Sequence, residues 1–357
     1  RPPPTSLAPP LAAAAALNMQ LPSAAQAASG DLASQEWEKV DLPIDPTIVL
    51  LDIGFTGTDP KHGFLLGSRQ TLLETKDGGK TWEPRVVEAA LDDAGINYRF
   101  TSISFSGDEG WIVGKPAILL HTTNGGTTWE RVPLSAKLPG DPVFVHGNGS
   151  GSAEMATSEG GLYVTDNAAQ SWKAAVQETV DATLNRTVSS GISGASYYEG
   201  SFSQIARSSD GSYVAVSSRG NFYLTWAPGQ TFWQPHNRPV ARRLQNMGWT
   251  PDNKLWVSTR GGDVFVSPET GVSEKFDNRN IPSRGFGILD VGFKDSATAY
   301  ACGGSGSLFK STDGGASWKR DKATDNGVAG NLYAVKFSES GAGFVLGNDA
   351  ILLRSLG

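Results

Sequence analysis

The chain has 357 residues and a formal net charge of −6; 39% of its residues are hydrophobic and 18% are charged. This apolar fraction excludes a disordered chain, and the low charge content excludes a long coiled coil. The acidic balance argues against a nucleic-acid-binding molecule. Because Cys302 is the single cysteine, an internal disulfide and a thiolate metal cluster are excluded, and we expect a buried thiol.

Residues 1–30 differ in composition from the rest of the chain. An apolar run at 11–17 precedes Ala25-Gln26-Ala27, which fits the small-x-small pattern of signal-peptide cleavage. We therefore interpret residues 1–27 as the remnant of a lumenal targeting peptide and residues 28–357 as one mature domain. A disordered Ala/Pro-rich tail is the alternative interpretation. Beyond residue 30, no apolar run is long enough to span a membrane.

An eight-residue motif recurs along the chain. Segments 75–82, 122–129 and 311–318 share the pattern S/T-x-D/N-x-G-x-T/S-W, the Asp-box of propeller proteins, and weaker copies begin at 165, 225 and 267. The closing aromatic residues stand at 82, 129, 172, 232, 276 and 318, at intervals of 42 to 60 residues. This spacing is typical of four-stranded propeller blades, which repeat every 40–45 residues or so.

Both ends of the chain raise the predicted number of blades from six to seven. Residues 332–355 repeat three strands and stop where a seventh box would begin, whereas residues 35–42 resemble a strand that follows a box. If residues 35–42 supply the missing fourth strand, the two ends pair and the ring closes. We therefore predict an all-β, seven-bladed β-propeller with Asp-box repeats, in which the N-terminal strand completes the last blade.

The Asp-box could suggest catalysis, but its chemistry indicates a structural role. Asp or Asn at a tight turn accepts backbone hydrogen bonds, Gly adopts the left-handed conformation, and Trp is buried between sheets. The box turns are expected between the third and fourth strands, far from the axis. We therefore assign a structural and not a catalytic role to Asp77, Trp82, Asn124, Trp129, Asp313 and Trp318.

The interval between 172 and 232 is longer than its neighbours by about 16 residues. The excess lies at 177–200, between the predicted blades three and four, and contains Arg186, Tyr197, Tyr198 and Glu199. Insertions in such connections often carry function, because loops tolerate growth.

Positive charge is concentrated in the middle of the chain. Residues 200–262 hold seven cations, six of them arginine, against two aspartates, so this stretch carries +5 and the remainder −11. Arginine forms bidentate contacts with carboxylates and is more weakly hydrated than lysine. One interpretation is a set of solvated surface charges; the other is a basic patch that meets an acidic partner.

The repeat phase predicts where these arginines lie. Arg219 and Arg260 fall at turns between second and third strands, and the connection into blade five carries three more, so both groups emerge on one face. Arg207 ends an innermost strand, and the repeat phase does not decide on which face of the ring it lies. The predicted partner-binding residues are Arg186, Arg207, Arg219, Arg238, Arg242, Arg243 and Arg260.

The sequence contains little that indicates a metal site or a catalytic site. The histidines at 62, 121, 146 and 236 lack metal-ligand spacing, and the chain contains no G-x-S-x-G or H-E-x-x-H motif. We therefore expect no metal, no cofactor and no catalytic residue.

The Asp-box blades, the arginine-rich run at 238–249 and the run at 218–222 together resemble the photosystem II stability/assembly factor family over residues 34–357. The resemblance implies a non-enzymatic, monomeric protein of the plastid thylakoid lumen, peripheral to the thylakoid membrane through its partners. It implies binding of photosystem II reaction-centre core polypeptides and early assembly intermediates through the arginines named above. The cleavable segment without a lipid-attached cysteine suggests an alga or plant, with a plastid transit peptide further upstream.

Two other classes remain open. A sialidase-like glycosidase needs arginines that converge on a carboxylate, a Tyr nucleophile paired with Glu, and a separate acid. Tyr197, Tyr198 and Glu199 could imitate that set, although the arginines come mostly from two adjacent blades. The third class is a secreted propeller that binds glycans through aromatic side chains.

Overall fold

The computed structural model describes residue 32 and residues 34–92, 95–176 and 201–357. The strands of these ranges form seven antiparallel sheets of four strands each, the blades of a seven-bladed β-propeller, as predicted. Second and third strands are buried along most of their length, for example Gly63–Gly67, a second strand, and Ile118–Thr122, a third strand. Such strands read as continuous apolar runs because each blade packs between two neighbouring blades.

The strands follow the repeat. The N-terminal strand is β1 (Trp37–Val40). Blade one contains β2 (Leu50–Phe55), β3 (Gly63–Gly67), β4 (Leu72–Thr75) and β5 (Glu83–Pro84). Blade two contains β6 (Arg99–Ser106), β7 (Glu109–Lys115), β8 (Ile118–Thr122) and β9 (Glu130–Arg131). Blade three contains β10 (Pro142–Gly149), β11 (Ser152–Thr157), β12 (Leu162–Thr165) and β13 (Lys173–Ala174).

The remaining blades repeat this order. Blade four contains β14 (Phe202–Arg207), β15 (Tyr213–Ser217), β16 (Phe222–Trp226) and β17 (Gln234–Asn237). Blade five contains β18 (Leu244–Trp249), β19 (Lys254–Thr259), β20 (Val264–Thr270) and β21 (Asp277–Asn278). Blade six contains β22 (Ile288–Phe293), β23 (Ala299–Gly303), β24 (Leu308–Ser311) and β25 (Lys319–Arg320). Blade seven begins with β26 (Leu332–Phe337), β27 (Gly343–Gly347) and β28 (Leu352–Ser355).

Short helical turns lie in the connections between blades. A 3₁₀ turn spans Glu88–Ala90, and the helix α1 spans Lys322–Gly327, where the Asp321 side chain accepts hydrogen bonds from the first-turn amides of Ala323 and Thr324. Within the described ranges, the helices lack the length and apolar character that a membrane crossing requires.

The ring closes as predicted. β1 pairs antiparallel with β28, placing Trp37 opposite Ser355, and so becomes the fourth strand of blade seven. The Trp37 ring is 1% exposed and packs edge-on against Tyr300 of blade six at 5.1 Å. The Glu36 carboxylate accepts hydrogen bonds from Lys310 and Tyr300 at 2.6 and 2.9 Å. The N-terminal strand is therefore held by two blades.

Polar side chains join the innermost strands around the axis. The Asp52 carboxylate accepts from the Ile103 amide of the next blade at 3.0 Å, and Asp290 likewise accepts from Val335 at 2.9 Å. Lys336 of blade seven lies 3.2 Å from Asp52. The negative charge of Asp52 raises the pKa of Lys336, so this ammonium stays charged where blades seven and one meet.

The Asp-box turns lie between third and fourth strands, as predicted. In the last one, the Asp313 carboxylate accepts hydrogen bonds from Ser317 and Ser311. These bonds, above all that from the Ser317 side chain, lower the pKa of Asp313 to about 2. Trp82 and Trp318 are buried beside their boxes, and Trp129 is partly buried. Asn124 and Asn167 take the place of the aspartate in two other boxes, where their side-chain oxygens accept the corresponding hydrogen bonds.

One closing aromatic residue differs from the prediction. Phe232 is 40% exposed, and the neighbouring Trp233 is buried instead, donating its indole N–H to the Gly160 carbonyl of blade three at 2.9 Å. The indole can supply both apolar area and a donor to a carbonyl that phenylalanine would leave unpaired. In blade five Phe276 does take the displaced position, packing edge-on against Tyr223.

Candidate partner-binding surface

Each blade exposes two kinds of turn on opposite faces of the ring. Because successive strands are antiparallel, turns between second and third strands emerge on the same side as the connections between blades. We call this side the loop face. Turns between first and second strands share the other side with the Asp-box turns, and we call it the Asp-box face. The Gly125 amide, which donates to the Asp108 carbonyl at 2.8 Å, joins two such turns.

The arginine-bearing turns of blades four and five touch one another on the loop face. The turn that carries Arg219 contacts the start of β18, where the Leu244 amide donates to the Gly220 carbonyl at 2.8 Å. The next turn along the ring is joined to the same segment, since the Arg260 amide donates to the Arg243 carbonyl at 2.9 Å. The backbone therefore brings three separate sequence segments side by side.

The same row of turns continues into the connection before blade six. The Arg242 side chain lies over Gly261, where a Cβ atom would clash with its guanidinium. On the other side of this turn, a Cβ at Gly262 would lie within 2.6 Å of Ser283 Oγ and the Phe286 carbonyl. The connection that carries Arg284 is thus packed against the turn that carries Arg260.

These contacts join a row of turns and inter-blade connections on the loop face, and we call the arginines that they carry the arginine arc. Its members are Arg219, Arg238, Arg242, Arg243, Arg260 and Arg284. Arg284 lies outside the arginine-dense stretch 200–262 and is missing from the sequence prediction. The signal that could have found it is its place in the repeat, because it occupies the inter-blade connection that follows β21.

Among the described residues, one carboxylate forms an ion pair with Arg242 of the arc. Arg242 lies 3.1 Å from Asp263, with the two side chains 61% and 34% exposed. No carboxylate of the described residues lies within salt-bridge distance of Arg238, Arg243, Arg260 or Arg284. Three of those four side chains are exposed, and Arg238 is half-buried, as is Arg219. The arc is therefore a surface of positive charge with donors available to carboxylates.

Arg207 lies elsewhere. It ends β14 on the side of the Asp-box face, where its guanidinium donates two 2.9 Å hydrogen bonds to Glu154 of blade three. Burial alone would raise the pKa of Glu154, but bonds from Arg207 and Tyr213 outweigh it and hold that pKa below its usual value. With side chains 15% and 18% exposed, this pair ties two blades together and is set apart from the arc.

The same cluster bears on the glycosidase alternative. Tyr213 donates to Glu154 at 2.6 Å beside Arg207, a combination that resembles the Tyr–Glu pair such an enzyme requires. The Tyr213 side chain is only 1% exposed, and its burial raises the phenol pKa well above the usual range. This hydroxyl is therefore protonated and enclosed, which is the opposite of what a nucleophile needs.

Other predicted residues fall outside the described ranges or away from the arc. Arg186, Tyr197, Tyr198 and Glu199 belong to the insertion 177–200, outside the described residues. A cavity of about 620 Å³ opens at the Asp-box end of the central channel, where His146 and Lys336 contribute to its wall. In the described part of the chain, no group of three His, Cys, Asp or Glu side chains is arranged to hold a metal ion.

Comparisons with known proteins identify relatives along nearly the whole chain. Residues 30–356 match the family described as photosynthesis system II assembly factor YCF48. The chloroplastic photosystem II stability/assembly factor HCF136 of Arabidopsis thaliana is 60% identical over 96% of this chain and 85% of its own length. The structure of YCF48 from Cyanidioschyzon merolae superposes with a TM-score of 0.81 at 46% identity, covering 90% of this chain and 98% of that one. A structure of YCF48 bound to a D1 peptide superposes with a TM-score of 0.79 at 42% identity, covering 90% of this chain and 97% of that one.

Proposed function

Because the chain belongs to the photosynthesis system II assembly factor YCF48 family, we propose that it is a photosystem II assembly and stability factor that binds reaction-centre polypeptides through the arginine arc. The observation that carries the proposal is that Arg243, Arg260 and Arg284 are exposed side by side on the loop face, with no carboxylate of the described residues within salt-bridge distance. Two relatives support it: one bears the name stability/assembly factor, and another has been solved with a D1 peptide bound.

The physical chemistry of the arc suits an acidic stretch of polypeptide. Arginine side chains from two turns within blades and two connections between blades offer planar forks of N–H donors to carboxylates, while the rest of the protein is acidic. A local positive potential in an acidic molecule attracts and orients an acidic partner before contact and disfavours other orientations. Each contact carries little energy alone, so affinity depends on several arginines acting together.

The proposal extends to location and chemistry. The relative from Arabidopsis thaliana is a chloroplastic protein, and we place this chain in the thylakoid lumen, with residues 1–27 as the remnant of its targeting peptide. It acts as a monomer that reaches the membrane through its partners. The role is non-enzymatic, which is supported by relatives that are named as assembly factors.

The test is the affinity for a fluorescently labelled D1 peptide, measured by anisotropy at low salt. We expect the double reversal Arg243→Glu/Arg260→Glu to weaken binding by about tenfold or more, because repulsion replaces attraction at two central positions. A matched double reversal, Lys76→Glu/Lys173→Glu, makes the same change in net charge on the side chains of two lysines that are 74% and 79% exposed near Asp-boxes. Equal affinities for the two double variants would show that the arc is ordinary solvated surface.

A further inference from the structure

The connection before blade six contains a tight turn with an arginine at its tip. The Phe286 amide donates to the Ser283 carbonyl at 3.1 Å, and the two central residues, Arg284 and Gly285, have φ of 55° and 83°. Positive φ at both central positions defines a type I′ turn, which favours Asn, Asp or Gly at the first of them. Arginine at this position is held in a conformation that most side chains avoid.

The turn also presents an aromatic side chain. Phe286 is 43% exposed and belongs to none of the hydrophobic clusters that the described residues form between blades. Its carbonyl packs against Gly262 of the neighbouring turn, and its ring lies beside Gly304 of blade six, where a Cβ would be 3.8 Å from the ring. Phe286 is thus fixed by backbone contacts on two sides while its ring remains open to solvent.

Arg284 and Phe286 are therefore both exposed on one tight turn at the end of the arginine arc. Single exposed apolar residues are ordinary on protein surfaces. Here, an exposed ring stands two residues from an arginine that has no carboxylate partner among the described residues, and their turn packs against Gly262 in the turn that carries Arg260. Arginine and aromatic residues together are the composition typical of binding hot spots, in which an apolar anchor excludes water around charged contacts.

We propose that the Arg284–Phe286 turn selects among acidic polypeptides, binding segments in which a carboxylate is accompanied by an apolar side chain. The inference rests on the proposed function, since it assumes that the arc binds acidic polypeptide. Arg284 pairs with the carboxylate, and the apolar side chain covers the exposed ring of Phe286. The positive charge of the whole arc attracts acidic polypeptides, and the Phe286 ring at one end favours those that carry an apolar side chain.

Two labelled synthetic peptides test the discrimination. In one, glutamate alternates with leucine; in the other, serine replaces each leucine, so that charge and length are unchanged. We expect the protein to bind the leucine peptide about tenfold more tightly, the difference that burial of part of one leucine side chain provides. Phe286→Ser should abolish this preference and leave affinity for the serine peptide unchanged, whereas Phe286→Leu should retain most of it. Phe232→Ser, which alters a ring of similar exposure beside the Asp-box of blade four, should keep the full preference.

A second variant separates a binding role from a structural one at the tip of the turn. Asparagine suits the left-handed conformation, so Arg284→Asn should raise the melting temperature of the protein by about 2 °C. Because the guanidinium is lost, the same variant should bind both peptides severalfold more weakly. Equal binding of the two peptides by the unmodified protein, or a preference that survives in Phe286→Ser, would overturn the inference. If Arg243→Glu/Arg260→Glu bound both peptides normally, the proposed function itself would fail, so the two failures are distinct.

Discussion

Blades one, two and six differ from blades four and five on both faces of the ring. The former carry full Asp-boxes, whereas blade five closes its turn with Glu269, which accepts from Ser273 at 2.9 Å, and blade four with Trp226, which donates to the Gln230 carbonyl at 2.9 Å. The arginine arc is assembled mainly from these two blades without full boxes. The arginines of the loop face do not contact the Asp-box turns of their own blades, because strands of five or six residues hold the two faces about 17–20 Å apart.

Arg207 and Arg243 show the same contrast within a single residue type. One is half-buried against Glu154 between blades, and the other is exposed on the arc. We therefore expect substitutions in the scaffold to lower stability while leaving binding intact, and substitutions in the arc to do the reverse.

The largest effect should come from removing the strand that closes the ring. Deleting residues 28–42 removes the ladder bonds between β1 and β28 and the burial of Trp37, so the free energy of unfolding should fall by about 4 kcal/mol or more. Urea denaturation measures this change. Removing only residues 1–27 is the control and should leave the midpoint unaltered; an unchanged midpoint in the longer deletion would contradict closure by β1.

The next largest effect concerns the half-buried Arg207. Arg207→Met leaves the half-buried Glu154 carboxylate without its bidentate partner, which should lower the free energy of unfolding by about 3 kcal/mol. Arg243→Met, the matched exposed substitution, should change it by about 0.5 kcal/mol or less. Peptide affinity should show the opposite order, measured at a temperature where both variants are folded. A selective loss of binding in Arg207→Met would place that arginine in the binding surface after all.

Added salt should lower the affinity of the protein for an acidic peptide. Between 0.1 and 0.5 M salt, the Debye length falls from about 10 Å to about 4 Å, so affinity for an acidic peptide should drop by about tenfold. Anisotropy titrations of the unmodified protein and of Arg243→Glu/Arg260→Glu measure the slope, which should be shallower in the variant. Equal slopes would mean that the attraction originates elsewhere on the molecule.

The smallest effect should appear in the Asp-box at low pH. The pKa of Asp313 is lowered from 3.8 to about 2, so its stabilising contribution is complete above pH 4 and is lost as the pH falls from 4 to 2. Asp313→Asn imitates the box at Asn124 and should leave the neutral-pH melting temperature nearly unchanged. It should reduce the acid-induced decrease by about 2 °C or less, because the site is exposed. Asp166→Asn is the control, and an identical acid response in both variants would argue against this role.

Much of the fold was predictable because its determinants are periodic. The turn-closing triad of Thr75, Asp77 and Thr81 recurs at fixed spacing, and each copy forms its hydrogen bonds within one short segment. The strand at 35–42 was recognisable as the missing member of blade seven since the repeat was incomplete at both ends. The buried state of Cys302 followed from its place in an apolar strand.

The candidate site was only partly predictable, because arginines that are close in the sequence are not always close in space, and distant ones can be neighbours. The repeat phase indicated the loop face for Arg219, Arg242, Arg243 and Arg260, but Arg284 joins them only through packing of the 283–286 turn against Gly262. Similarly, the Arg207–Glu154–Tyr213 cluster combines residues from two blades, and no local pattern relates them.

The amino-acid sequence by itself therefore determined the number of blades, the closing strand and the Asp-box turns, since each depends on contacts within a repeat or between the two chain ends. Only the tertiary structure decided which arginines are neighbours, that Arg207 pairs with the half-buried carboxylate of Glu154, and that Trp233 rather than Phe232 is buried. The physical reason is that these properties depend on how adjacent blades pack, and packing selects among side chains that the repeat pattern treats as equivalent.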